Sequence, residues 1–356
     1  MQAAVALARA GIGATFPNPS VGAVVVREGR IIGRGRTGPA GTAHAEVRAL
    51  ARAGAGARGA TLYVTLEPCA HHGRTPPCTE AIHAAGIARV VVGIVDPSPR
   101  VRGRGIRWLR RRGIEVTVGV GRRACRAAHE FYLHHETTGR PFVTLKTAQT
   151  LDGCIATAGG ESRWITSAPA RRHAHGLRAR HQAILVGAGT VLADDPRLSV
   201  RHVRGEDPIP VVLDTHLRSA RRRRAVFRPG TFVFHGAGAD AQIVRRLRRW
   251  GCVPLSVATG RAGVDPAAVL EALGRMSVRS LLVEGGARVA GSFLAADLVD
   301  RLVVYRAPKV VGRGSPGIEG WAAPRLQDAR RFARRSVEAV GPDLVCVYDR
   351  RRRGRS

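Results

Sequence analysis

The sequence predicts an α/β protein built from two domains, and three observations carry that reading. Strand-like apolar runs alternate with helix-like segments, which argues for sheets covered on both faces. A break rich in turn formers, Thr137-Thr138-Gly139-Arg140-Pro141, separates two such series. The 356 residues exceed one ordinary domain and leave each of two domains enough chain to bury a core. The break sets the boundary, with domains at 1–138 and 139–356.

Apolar runs bounded by turn signals place the elements in order. Val21–Val26 and Ile31–Ile32 read as a hairpin with Glu28-Gly29 in its turn. Ala43–Ala53 reads as a helix, Thr61–Leu66 as a strand, Cys78–Ala85 as a helix and Val90–Val95 as a buried strand. Ile106–Arg112 then reads as a helix, Glu115–Val118 as a strand, and Gly121–Glu136 as one polar helix running into the break. The second half restarts with a strand at Phe142–Lys146. Three later strands end abruptly: Ala183–Val186 before Gly187, Pro210–Leu213 before Asp214, and Leu281–Val283 before Glu284-Gly285-Gly286. Ligands of open α/β sheets bind beyond such strand ends, where glycine lets a phosphate approach the backbone.

Composition excludes several classes. Apolar residues make up 44% and charged residues 24% of the chain, a globular balance. No apolar run approaches the ~18 residues of a membrane span. The N-terminal stretch lacks a basic region followed by a long apolar one, so a cytoplasmic protein is expected. The formal charge of +32 suggests a nucleic-acid partner at first sight. It is carried almost wholly by scattered arginines, with Lys146 and Lys309 the only lysines, and aromatics are only 4%, few for stacking bases. The expectation is therefore weak, non-specific affinity and no dedicated nucleic-acid or membrane partner. Six cysteines in so long a chain do not suggest a disulfide scaffold, and only Cys69 and Cys78 lie close together.

Those two cysteines follow His44-Ala45-Glu46 and each stands after a proline, Pro68-Cys69 and Pro77-Cys78. One imidazole and two thiolates suit Zn²⁺ and leave a fourth position for water. Glu46, two residues from His44, could take a proton from that water without binding the metal. His-x-Glu with Pro-Cys…Cys is the signature of zinc deaminases acting on nucleobases and nucleosides. A closed zinc site, with His71 or His72 as fourth ligand, is the plainer alternative; the glutamate spacing and both prolines favour the open one.

Eight residues separate the cysteines, and here the motif becomes specific. Pro68-Cys69-Ala70-His71-His72-Gly73-Arg74-Thr75-Pro76-Pro77-Cys78 resembles the zinc loop of the bifunctional riboflavin-biosynthesis deaminase/reductases. Pro17-Asn18-Pro19-Ser20-Val21-Gly22 and Ala40-Gly41-Thr42-Ala43-His44-Ala45-Glu46 resemble further blocks of that family. The resemblance implies that His44, Cys69 and Cys78 hold one zinc ion and that Glu46 shuttles the proton. It assigns Asn18 and Arg74 to the ribose and 5′-phosphate of the substrate. Two positions depart from the family pattern: Thr37 stands where a histidine is usual, and Phe16 where one is frequent.

The second half extends the resemblance. Lys146-Thr147-Ala148-Gln149-Thr150-Leu151-Asp152-Gly153, Gly160-Glu161-Ser162-Arg163-Trp164-Ile165-Thr166 and Val186-Gly187-Ala188-Gly189-Thr190-Val191-Leu192-Ala193-Asp194-Asp195-Pro196 match blocks of the family's reductase domain. Val283-Glu284-Gly285-Gly286 and Ala307-Pro308-Lys309 complete the set. The implied architecture is a cytidine-deaminase-like three-layer α/β domain followed by a dihydrofolate-reductase-like α/β domain. Carried over position by position, Ala148, Trp164, Thr190, Asp194, Thr215 and Gly286 face NADPH. Ser162, Arg178, Leu198, Arg201 and Glu284 face the ribose phosphate, and Lys146 is catalytic. Paired guanidinium groups at Arg178 and Arg201 would suit a phosphate. NADPH itself rests on the resemblance, because no G-x-G-x-x-G fingerprint follows a strand.

The expected activity is hydrolytic removal of the 2-amino group of 2,5-diamino-6-ribosylamino-4(3H)-pyrimidinone 5′-phosphate, then NADPH-dependent reduction of the ribosyl to a ribityl side chain. A homo-oligomer is compatible with the sequence. The alternatives are a tRNA or other nucleic-acid deaminase, and a non-catalytic zinc-binding module with a degenerate reductase half.

Overall fold

The computed structural model describes residues 1–73 and 75–351. They divide into two compact units, Met1–Gly139 and the chain from Arg140 onward.

In the first unit the helices are α1 (Gln2–Ala10), α2 (Ala45–Ala53), α3 (Cys78–Ala84), α4 (Arg104–Arg110), α5 (Arg122–Ala128) and α6 (Glu130–Thr138). The strands are β1 (Gly22–Arg27), β2 (Arg30–Arg36), β3 (Thr61–Val64), β4 (Arg89–Val92) and β5 (Glu115–Val118). They form one sheet in the order β2-β1-β3-β4-β5. β1 runs antiparallel to β2 and β3, whereas β3, β4 and β5 are parallel. Alternation along the strands sorts side chains to two faces. Ala23, Val25, Leu62, Val64, Val90 and Val92 pack with Ala49, Ile82 and Leu109 of α2, α3 and α4. On the other face Val5, Cys125 and Tyr132 of α1, α5 and α6 pack together with Leu66 and Ile94. The unit is thus three layers deep.

Close backbone approach fixes where α2 sits. A Cβ on Gly35 of β2 would stand 1.9 Å from the Ala45 carbonyl oxygen at the start of α2. Only glycine permits that contact, which brings the N-terminus of α2 onto the sheet.

The expected single helix at Gly121–Glu136 is in fact two. The chain leaves helical geometry at His129, with φ −108° and ψ 16°, where the buried imidazole turns to Thr65 with Nε2···Oγ1 at 2.9 Å. Nor is this stretch a polar surface, since Cys125, Ala128, Tyr132 and His134 are buried.

In the second unit the helices are α7 (Ala168–Arg180), α8 (Ala188–Asp194), α9 (Ala241–Arg249), α10 (Pro266–Arg275) and α11 (Ala287–Ala295). Its strands are β6 (Phe142–Gln149), β7 (Cys154–Thr157), β8 (Ala183–Gly187), β9 (Ile209–Leu213), β10 (Phe232–His235), β11 (Val253–Ser256), β12 (Thr259–Gly260), β13 (Gly263–Val264), β14 (Ser280–Gly285), β15 (Arg301–Arg306), β16 (Gly314–Pro316), β17 (Phe332–Val340) and β18 (Asp343–Arg350). Nine of them form one sheet in the order β11-β10-β9-β8-β14-β6-β15-β18-β17. It is parallel from β11 to β15 and closes with the antiparallel strands β18 and β17.

The central strands are buried on both faces, which explains their continuous apolar runs. Leu185, Val211, Phe234, Leu281 and Val283 face α10 and α11. The intervening Ile184, Val186, Val212, Val233 and Leu282 face α8 and α9. β8 runs straight into α8 and β14 into α11, so both strand ends carry a helix N-terminus.

Candidate active sites

In the first unit, α2 and α3 deliver the metal-binding set. His44 is the residue capping the N-terminus of α2, Cys69 lies on the loop after β3, and Cys78 opens α3 behind Pro77. His44 Nδ1 stands 3.1 Å from the Cys78 sulfur and 3.7 Å from the Cys69 sulfur. The three donor atoms all lie within 4.8 Å of one another, and among the described residues no fourth His, Cys, Asp or Glu joins them. His71 and His72 do not join this group. One imidazole and two thiolates at this spacing fit zinc.

The Cys78 amide donates to the Cys69 sulfur at 3.4 Å, and Thr75 Oγ1 lies 3.4 Å from His44 Nε2, orienting the ring. The bond from Cys78, with help from His44, pulls the Cys69 thiol down to about 4 against its burial. The same shared proton pushes Cys78 well above the usual thiol range, so one thiolate charge belongs to the pair. Glu46, on the first turn of α2, is 4% exposed. Burial, then the Cys69 charge, pushes its carboxyl up to about 7.

Asn18 is half-buried in the turn between α1 and β1, where its main-chain N–H donates to the Thr15 carbonyl at 2.8 Å. Thr37 is buried and structural, since its Oγ1 accepts the Val21 amide at 3.0 Å beside β1. Arg74 lies outside the described residues.

In the second unit, a cavity of about 1170 Å³ opens at the carboxyl ends of β6, β8, β9 and β14. Lys146, Ala148, Ser162, Trp164, Arg178, Thr190, Asp194, Leu198, Arg201, Thr215, Glu284 and Gly286 all line it. At its floor the Gly286 amide donates to Thr190 Oγ1 at 3.1 Å. A Cβ on Gly285 or Gly286 would come within 3.1 or 3.3 Å of that hydroxyl. Glycine at both positions thus lets the end of β14 close on Thr190 of α8, and the cavity beside it has room for NADPH.

Arg178 does not present a free fork to the cavity. Its Nε and Nη2 donate to the two Glu284 carboxylate oxygens at 2.9 and 2.8 Å, and Nη1 donates to the Ser199 carbonyl at 3.0 Å. Burial alone would raise the Glu284 carboxyl, but the charges of Arg178 and Lys146 outweigh it and hold the group at about 2. Lys146 Nζ also lies 5.5 Å from the Tyr305 ring centroid, and burial and Glu284 raise the Tyr305 phenol.

Sequence reasoning did not find His175 or His202, which also line the cavity. The Arg201 amide donates to His175 Nδ1 at 3.2 Å, and the two imidazoles meet edge to face at 4.6 Å. Burial, then Arg178, His202 and Arg201, lower His175 to about 4, so it is neutral at physiological pH. Nothing local in the sequence marks His175, two positions from His173 on α7, as a cavity residue.

Residues 141–346 match the family described as RibD C-terminal domain. The riboflavin biosynthesis protein RibD of Aquifex aeolicus is 43% identical over 98% of this chain and 97% of its own length. This chain belongs to the RibD family. The Escherichia coli RibD protein is 41% identical, with 98% and 97% of the two chains covered. Residues 1–94 match the cytidine and deoxycytidylate deaminase zinc-binding region. An Acinetobacter baumannii RibD structure superposes with a TM-score of 0.90 at 35% identity, covering 99% of this chain and 98% of that one. A Thermotoga maritima diaminohydroxyphosphoribosylaminopyrimidine deaminase/5-amino-6-(5-phosphoribosylamino)uracil reductase superposes at 0.88 with 36% identity, covering 98% and 97%. Like its family, the chain is a bifunctional enzyme of riboflavin biosynthesis with a zinc-type deaminase half and a reductase half.

Proposed function

We propose that the cluster and the cavity act in succession on one pyrimidine ribose phosphate, with the side chains dividing the work as follows. His44, Cys69 and Cys78 hold one zinc ion, His44 through Nδ1, the nitrogen facing both thiols. Zinc, when bound, supplies a Lewis acid able to activate water near neutral pH. Glu46 takes a proton from the attacking water and passes it to the departing 2-amino group, which leaves as ammonia. Asn18 and Arg74 bind the substrate's ribose and phosphate.

In the second unit NADPH, when bound, supplies the hydride for C1′ of the opened ribose. Ala148, Trp164, Thr190, Asp194, Thr215 and Gly286 hold the cofactor, and Ser162, Leu198, Arg201 and Glu284 the substrate. Arg178 acts through Glu284, whose carboxylate it fixes, and leaves the phosphate to Arg201. Lys146 sets a compact positive charge at the reacting end, a role for which an ammonium differs from the guanidinium used almost everywhere else. The observation that carries this reading is the convergence of those scattered residues on one cavity.

The same reading makes the substrate a small molecule, with no dedicated nucleic-acid or membrane partner, and leaves room for a homo-oligomer. Among the described residues no helix is long and apolar enough to cross a membrane. All six cysteines are free, which suits the reducing cytoplasm.

A spectrophotometric assay tests the reading. Given the deaminated pyrimidine, the protein should oxidise NADPH without releasing ammonia, and Lys146→Ala should abolish that oxidation while ammonia release from the diamino substrate persists. A thermal midpoint serves as folding control, because alanine also removes the packing of the lysine stem. Absence of NADPH oxidation by the folded wild-type protein would sink the reductase assignment.

A further inference from the structure

Lys309 is one of only two lysines among 58 basic residues, and the two catalytic schemes above make no use of it. Its backbone is fixed to the end of β6 and the turn beyond it: the Leu151 amide donates to the Lys309 carbonyl at 2.8 Å, and the Ala307 amide to that of Gln149 at 2.9 Å. The following turn is tied down as well, since Asp152 Oδ2 accepts the amides of Val311 and Gly312 at 3.1 and 2.8 Å. From this anchored base the side chain reaches 145 residues back along the sequence. Its ammonium donates to the main-chain carbonyl of Trp164 at 2.7 Å.

Trp164 lines the cavity yet leaves 61% of its surface exposed, so burial does little to hold it. Cations hold its segment instead. Arg163 Nη2 donates to the Asp194 carbonyl at 3.0 Å, Arg171 Nη1 donates to the Thr166 carbonyl at 2.6 Å, and the Arg171 guanidinium covers the indole at 4.3 Å. Of these clasps only Lys309 bonds the peptide of Trp164 itself. We propose that Lys309 is a positioning residue for NADPH binding, acting through Trp164: it fixes the main chain from which the indole is presented to the cofactor. A compact ammonium with freely rotating protons suits a single carbonyl, whereas the broad planar fork of arginine suits two acceptors. The proposal rests on the cofactor reading of the cavity.

The test combines calorimetric NADPH binding with hydrogen exchange on the NADPH-free protein. Lys309→Met keeps the stem and removes the donor. It should weaken NADPH binding roughly threefold to tenfold, as expected for one lost hydrogen bond's worth of ordering. It should also speed amide exchange at residues 163–166 and leave ammonia release unchanged. Lys309→Gln retains a donor and should recover part of the affinity, and it serves in place of the Met variant should that one fold poorly. In a Trp164→Ala background, Lys309→Met should cost no further affinity. An equal loss in that background would overturn the proposal, because Lys309 would then act on the cofactor without Trp164. Unchanged affinity and exchange in Lys309→Met would overturn it too. If Trp164→Ala alone left NADPH binding unaltered, the cofactor reading would fall and carry the proposal with it.

Discussion

If His44, Cys69 and Cys78 hold zinc as proposed, neither cysteine has a substitute, since among the described residues no fourth His, Cys, Asp or Glu joins the group. Changing either to Ser removes a thiolate from the coordination set. Elemental analysis should find one zinc per wild-type chain and a large loss in Cys69→Ser and in Cys78→Ser; stoichiometric zinc in both variants would contradict the ligand assignment. His129 shows a different consequence of burial. Desolvation lowers it to about 4, and its Nδ1 is buried without a partner among the described residues. Its folded-state pKa thus lies below the unfolded value, so it favours the folded state above pH ~6.5 and that contribution is lost as pH falls toward 4. The shift corresponds to roughly 3 kcal/mol. Urea midpoints between pH 7 and pH 4.5 should fall more steeply for wild type than for His129→Gln, and parallel curves would show that His129 is not the group responsible.

The N-terminus of α2 is where element packing becomes chemistry, since it carries both His44 and Glu46. Gly35→Ala would drive a methyl group into the Ala45 carbonyl and push that end of the helix off the sheet. Overpacking of this kind costs about 1–3 kcal/mol, and here the backbone is the obstacle, so it cannot be relieved by a rotamer change. Deamination should fall sharply while NADPH oxidation on the deaminated pyrimidine stays near the wild-type rate; retained deamination would mean that the site tolerates a displaced helix.

The β1–β2 hairpin was legible because Glu28-Gly29 sits between apolar runs, and β5 because alternation and turn signals coincide. The strand-to-glycine junctions at Gly187 and Gly285 do lie at the cavity, and glycine stands there because a Cβ would meet Val289 at 2.7 Å or Thr190 at 3.1 Å. The short, alanine-rich α1 was not legible, nor was the helix break at His129. Each is decided by a partner distant in sequence, β1 for α1 and Thr65 for His129. The Arg178–Glu284 pair was hidden for the same reason. Its residues were marked as substrate-facing, but their mutual bond spans 106 positions and no local pattern encodes it.

Over the whole molecule, the +32 charge is the feature most easily misread. If arginine usage alone produces it, binding to a labelled DNA or RNA should be sequence-indifferent and should collapse between about 50 and 200 mM salt. Tight binding to one RNA at physiological salt would revive the nucleic-acid deaminase alternative. If one chain holds two separable sites, disabling one must spare the other. The most direct measurement follows both half-reactions in Glu46→Gln, which keeps the size of the side chain but cannot accept a proton. Ammonia release from the diamino substrate should fall by at least the ~10²–10⁴-fold that general acid–base catalysis supplies. NADPH oxidation on the already deaminated pyrimidine should continue near the wild-type rate. Loss of both reactions in a folded, zinc-replete Glu46→Gln protein would mean that the two sites are one.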